Sequence, residues 1–98
     1  MAVKVLIPTP LRQFTGNQES IECAASTVGE ALGNLTANFA ELRKHLYTDE
    51  GKIRSFVNLY LNDKDIRFLE KENTRTKDGD TISIVPSIAG GSLNSRND

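Results

Sequence analysis

One segment of this chain carries a long apolar stripe at helical spacing, and a one-sided helix must be covered by something. Apolar residues fall at Val28, Ala31, Leu32, Leu35, Phe39, Leu42 and Leu46, one face of a helix. The remaining apolar runs alternate instead. Val3, Val5 and Ile7 alternate with Lys4 and Leu6, Ile21 and Cys23 share one side of Gln18 to Cys23, Val57, Leu59 and Leu61 stand opposite Phe56, Asn58 and Tyr60, and Ile82 and Ile84 lie within Thr81 to Val85. Period two is the mark of half-buried strands. A single one-sided helix among several one-sided strands is best satisfied when the helix lies across one sheet and each hides the other's apolar face. A chain of 98 residues buries about two thirds of its unfolded surface. That suffices for one such pair of layers and leaves no room for a deep, lidded active site.

The breaks between these runs have their own chemistry. Pro8 and Pro10 end the first strand, and Thr15-Gly16-Asn17 reverses the chain into the second, which makes an N-terminal hairpin with a long connection. Thr27 caps the helix and Glu30, three residues on, reaches back as a capping box. Gly29 and Gly33 each cost about 1 kcal/mol against alanine inside a helix. The spacing therefore predicts a first helix to about Asn38 and a separate short turn from Leu42 to Leu46, with the glycines packed close on the sheet. Thr48 to Arg54 reads as a loop. Asn62-Asp63-Lys64-Asp65 turns the strand Phe56 to Leu61 into a short strand Ile66 to Phe68. Leu69 to Lys77 is irregular, with room for one helical turn or a scrap of strand, and Asp78-Gly79-Asp80 turns tightly into the last strand, Thr81 to Val85. The order strand, strand, helix, strand, strand, strand is an α+β, β-grasp arrangement: one mixed sheet of four to five strands with one main helix packed across it. Leu6, Tyr60 and Val85 then fall on the uncovered face as a candidate docking surface.

Charge and residue counts remove several functions. Twelve basic and 13 acidic residues, net -1, form no basic footprint for nucleic acid. No apolar run approaches the roughly 20 residues of a membrane span, and the N-terminus has no signal-peptide pattern. The lone Cys23 forms no internal disulfide, which fits a reducing, cytoplasmic setting. It reads as a small buried hydrophobe rather than a sulfur-handling thiol. His45 has no second ligand at metal spacing, and Asn62 to Asp65 lacks the glycine and distal glutamate of a calcium loop. No nucleophile and base pair and no phosphate-cradling loop is visible.

Beyond the last strand the sequence continues Pro86-Ser87-Ile88-Ala89-Gly90-Gly91 and then Ser92-Leu93-Asn94-Ser95-Arg96-Asn97-Asp98. Pro86 has no amide hydrogen for a ladder and reads as the strand stop. The domain division expected is 1–89 for the β-grasp domain, flexible from 86, then a Gly-Gly tip at 90–91 and a disordered extension at 92–98. The five residues Ser87 to Gly91, extended, reach roughly 17 Å. That is enough to thread a side-chain-free tip into a partner's channel while the body stays outside.

The hairpin with Leu11-Arg12 and Thr15-Gly16, the Phe56-Val57-Asn58 strand running into Asn62-Asp63, and Asp78-Gly79-Asp80 followed by Ile84-Val85-Pro86 and Gly90-Gly91 resemble the MoaD/ThiS family of ubiquitin-like sulfur carriers over residues 2 to 91. Ile7-Pro8-Thr9 and Phe56-Val57-Asn58-Leu59-Tyr60 resemble most the carriers of mycobacterial-type cysteine biosynthesis. The resemblance implies a protein that is a co-substrate rather than an enzyme and binds no cofactor of its own. An E1-like adenylating enzyme would consume ATP to activate the carboxylate of Gly91, and a sulfur donor would convert it to a thiocarboxylate. An acceptor such as a cysteine synthase or the large subunit of molybdopterin synthase would then take the sulfur. Ile88, Ala89, Gly90 and Gly91 would occupy the partner channel. In this chain Gly91 is bonded to Ser92, and an amide cannot be adenylated as a carboxylate can. A cut between Gly91 and Ser92, by a JAMM-type metalloprotease, is what the resemblance implies. The alternatives are that 92–98 is an appended remnant, that this member carries no sulfur, or that the domain is a non-catalytic modifier conjugated through Gly91.

Overall fold

The computed structural model describes residues 2–86. Five strands form one mixed sheet in the order β2-β1-β5-β3-β4. They are β1 Ala2–Leu6, β2 Ser20–Ala24, β3 Val57–Leu61, β4 Lys64–Asp65 and β5 Thr81–Pro86. β1 pairs antiparallel with β2 and parallel with β5, while β5 pairs antiparallel with β3. The last strand is therefore the central one. Two helices, α1 Val28–Asn38 and α2 Ala40–Leu46, are separated at Phe39; the first ends where expected, and the short turn expected from Leu42 to Leu46 is a second α-helix that starts at Ala40.

The core is the helical stripe set against alternate strand residues. Val3, Val5, Val28, Leu35, Leu42 and Ile82 are wholly buried, and Ile7, Leu32, Val57, Leu59, Leu61 and Ile84 pack in the same cluster. The sheet, the helix and the face each strand turns inward are those expected from the periodicity.

Local differences each have a cause. Asn62 and Asp63 both take left-handed backbone, φ 50° and 74°, the geometry of a two-residue hairpin turn that matches strand twist. The turn closes there, so Lys64 and Asp65 form the returning strand. Ile66–Phe68, expected as a strand, is a 3₁₀ turn whose start is capped by Asp65, which accepts from the Arg67 amide at 2.9 Å. Thr9–Phe14, expected as plain connection, is also 3₁₀ helix.

At the start of α1, Thr27 Oγ1 accepts the Glu30 amide at 3.1 Å. The Glu30 carboxylate reaches one residue further back than a capping box requires, taking the amide and hydroxyl of Ser26 at 2.6 and 3.0 Å. The Val28 amide is taken by the carbonyl of Thr74 at 3.0 Å. Gly29 does not meet the sheet. A Cβ there would lie 3.1 Å from both Cβ and the carbonyl oxygen of Glu72, whereas one on Gly33 would meet nothing within 4 Å. The close approach is thus to the Lys71–Asn73 turn, and only Gly29 needs it.

Pro86 belongs to β5 rather than ending it, opposite Val57. The Asn62 amide donates to the Thr81 carbonyl at 2.9 Å, and the Lys4 amide to the Asp80 carbonyl at 2.9 Å. Odd-numbered residues of β5 therefore bond toward β3 and even-numbered ones toward β1. The missing Pro86 amide would face β1, whose pairing with β5 has already stopped at Leu6 and Ser83. Proline sits where no ladder bond is lost.

Candidate functional site

The uncovered face of the sheet holds the residues singled out for docking. Leu6 and Tyr60 both lie opposite Ser83, on either side of it, and Tyr60 also lies opposite Asp65. Leu6, Ser83, Tyr60 and Asp65 thus form one row across four strands, with Leu6 and Tyr60 about 10 Å apart at strand spacing. Val85 stands one step toward the end of β5, opposite Asn58. Leu6 is 38% and Val85 44% exposed, and Tyr60 is half-buried. The spacing of small Ser83 between two larger apolar side chains leaves a shallow, partly apolar face.

Arg67 is a feature of this region that periodicity does not reveal. Its guanidinium clasps Asp65 in two parallel bonds, Nε to Oδ1 at 3.2 Å and Nη2 to Oδ2 at 2.7 Å, with Nε also 3.1 Å from Oδ2. The Arg67 side chain is 64% exposed while that of Asp65 is 9%. The arginine side chain and then its amide hold the Asp65 carboxyl below the usual range. Arg67 thereby places a fixed cation beside Tyr60. Asp65 also caps the 3₁₀ turn, accepting the Arg67 amide at 2.9 Å, so one carboxylate holds both the backbone and the side chain of Arg67. Phe68, 83% exposed, and Phe56, 45% exposed, lie outside the strands expected to hold them, Phe68 in the 3₁₀ turn and Phe56 just before β3.

The strand that leads toward the glycines is tied at its base. Asp78 Oδ1 accepts the Ala2 amide at 3.0 Å, the Gly79 amide donates to the Ala2 carbonyl at 2.9 Å, and Asp80 accepts from Asn62 at 2.9 Å and from the Lys77 amide at 2.7 Å. Gly79 has φ 90°, a backbone that L side chains resist. The Asp-Gly-Asp turn therefore joins the beginning of β1, the β3–β4 turn and the beginning of β5. Ile88, Ala89, Gly90, Gly91 and Ser92, expected to form the channel segment and the cut site, lie outside the described residues.

Two other candidates are packing residues. Cys23 is 6% exposed, and burial pushes its thiol pKa up, so the reactive thiolate is disfavoured. His45 stacks on Phe14, ring centroids 4.3 Å apart. Among the described residues no group of three or more His, Cys, Asp or Glu side chains is placed to hold a metal ion, and no helix is long and apolar enough to cross a membrane.

A mixed five-stranded sheet with its last strand in the centre and helices across one face defines a ubiquitin-like, β-grasp domain. The ThiS family matches residues 5–91, and the chain belongs to that family. It is 41% identical over 93 residues to the sulfur carrier protein CysO of Mycobacterium tuberculosis, covering 93% of this chain and 100% of that one. It superposes with TM-score 0.82 on a chain of the Amycolatopsis orientalis BexX/CysO complex, 40% identical, covering 91% of this chain and 99% of the other. Small archaeal modifier protein 3 of Haloferax volcanii is 35% identical over 66 residues, 67% of this chain and 71% of its own. The chain is a homologue of sulfur carriers and is related to ubiquitin-like modifiers.

Proposed function

We propose that this protein is a sulfur carrier whose working group is the carboxylate of Gly91, exposed when the bond to Ser92 is cut by a JAMM-type metalloprotease. An E1-like enzyme transfers AMP from ATP to that carboxylate with loss of pyrophosphate. A sulfur donor then displaces AMP and leaves a thiocarboxylate, which passes its sulfur to an acceptor such as a cysteine synthase or a molybdopterin synthase large subunit. ATP is bound by the activating partner, and the carrier contributes no acid, base or metal. The observation that carries this reading is the end-to-end similarity to CysO sulfur carriers. The family match ending at Gly91 supports the site of cutting.

The described body suits the role. β5 is held between β1 and β3 and its base is locked by Asp78 to Asp80, so pull on the glycine segment is resisted by the centre of the sheet. Leu6, Tyr60 and Val85 dock the body on the partner while Ile88, Ala89, Gly90 and Gly91 enter its channel. The relative BexX/CysO complex supports docking of such a carrier on a partner protein.

A second reading, conjugation of Gly91 to lysines of other proteins, is favoured by the 35% identity to a small archaeal modifier. Intact mass of the untagged protein from its own cell separates the two. Loss of Ser92 to Asp98 with one oxygen exchanged for sulfur at Gly91 supports the carrier. An isopeptide to a target lysine supports the modifier, and a full-length tail under sulfur demand defeats the carrier reading.

A further inference from the structure

We propose that the groove along the open half of β3 docks an extended acidic peptide segment of a partner protein, added to the sheet as a strand beside Asn58. This site adjoins the face carrying Leu6, Tyr60 and Val85, since Asn58 lies opposite Val85, and does not rest on sulfur chemistry at Gly91.

The sheet edge comes first. β4 pairs only with Tyr60 and Leu61, so among the described residues Val57, Asn58 and Leu59 have β5 on one side and no strand on the other. Because the Asn62 amide bonds to Thr81, even-numbered residues of β3 bond toward β5, and the carbonyl of Val57 and the amide of Leu59 turn toward the open side. In a parallel strand the residue laid opposite Asn58 meets both, and in an antiparallel one its two neighbours do. On that side lies a cavity of about 180 Å³ with Val57, Leu59 and Ile66 in its lining. It is smaller than the roughly 300 Å³ and upward of small-molecule sites, but it can take the side chains of a strand. An edge that is merely guarded against aggregation carries charges and needs no apolar floor.

Charge then selects the occupant. Arg54, Arg67 and Lys71 line this cavity with Asp65 and Glu72; Arg67 and Asp65 neutralise each other, which leaves Arg54 and Lys71 against Glu72. A second, shallow hollow starts at the same Arg54 and continues past Arg43 and Lys44, with Asp49 as its carboxylate. Arg54 Nε donates to the Lys44 carbonyl at 2.9 Å, which holds its guanidinium between the two. Lys44 is only loosely paired with Glu41, at 3.6 Å. Arg43, Lys44, Arg54 and Lys71 thus line two adjoining hollows that share Arg54, against Asp49 and Glu72. Main-chain pairing with an open edge supplies affinity, and the cationic rim selects carboxylate side chains.

The test titrates the full, isotope-labelled chain with a short peptide of alternating valine and glutamate, followed by amide chemical shifts and exchange. Expected are shifts centred on Val57 to Leu59, Ile66 and Arg67, slowed exchange of the Leu59 amide, and no binding of a valine and lysine peptide of equal length. Arg54→Glu with Lys71→Glu weakens binding about tenfold, the loss expected for reversing two exposed charges; Lys77→Glu leaves it unchanged. Lys71→Glu alone, at an exposed side chain, serves if loss of the Arg54 bond to Lys44 unfolds the end of α2. The proposal is overturned if the peptide does not bind, if the shifts centre on Leu6 and spare Leu59 and Ile66, or if a single-stranded oligonucleotide binds the same residues as tightly. The last result would make the track a general polyanion site.

Discussion

Asn62 joins the two turns at one end of the sheet: its Nδ2 donates to Asp80 Oδ1 at 2.9 Å while its Oδ1 accepts the Thr81 amide at 3.0 Å. The Asn62 bond, and then the Lys77 amide, hold the Asp80 carboxyl below the usual range. A carboxyl lowered in the folded state adds stability that is present above its unfolded pKa, about 4, and lost as pH falls through the lower folded value. Denaturant midpoints should therefore drop below about pH 4. Asp80→Ala should lose about 0.5–1 kcal/mol at neutral pH, discounted for solvent screening, and show a flatter acid limb. An unchanged limb would show that the bond does not couple to folding.

Gly29 and Gly33 should respond oppositely to the same change. Gly33 lies in α1 with open space around it, so Gly33→Ala should stabilise by about 1 kcal/mol through helix propensity alone. Gly29→Ala would press on the backbone of Glu72 at 3.1 Å, and the gain should vanish or reverse. Thermal denaturation of both variants side by side checks this, and equal gains would refute the close approach.

Ile82 is wholly buried in the central strand, between β1 and β3. Ile82→Ala should cost about 2–5 kcal/mol, measured by urea unfolding, and Thr27→Ala about 1 kcal/mol through loss of the helix cap. If the cap variant cost more than the core variant, the order of importance argued from burial would be wrong.

Leu6→Asp with Val85→Asp places charges on the uncovered face without touching the core. The fold should persist by circular dichroism, while transfer of AMP to a form ending at Gly91 should fall about tenfold or more as an apolar contact patch is lost. Unchanged activation would remove these residues from the docking surface.

Much of the architecture can be read from the residues because one face of each element is buried. Burial writes period two into Val3, Val5 and Ile7 and helical spacing into Val28 to Leu46. The first helix and the buried side of β3 and β5 follow, while the second helix, expected as a short turn, does not. The short segment after Leu61 was misassigned because a turn is decided by backbone conformation. Asn62 and Asp63 both entering left-handed geometry shifts β4 by two residues, and that shift sets Asp65 beside Arg67. The expected docking residues do lie on the uncovered face, but the Arg67 clasp and the open edge of β3 depend on where β4 stops.

Composition and local pattern alone determine a one-helix-on-sheet layering, a tight turn at Asp78 to Asp80 and a glycine pair after the last strand, because these depend on neighbours in the chain. The folded structure alone decides that β5 is the central strand, that Pro86 occupies a position with no ladder bond to lose, and that Asp80 locks two distant turns together. Those relations join residues far apart in sequence, and only the pairing register, set by burying all the apolar faces at once, brings them together.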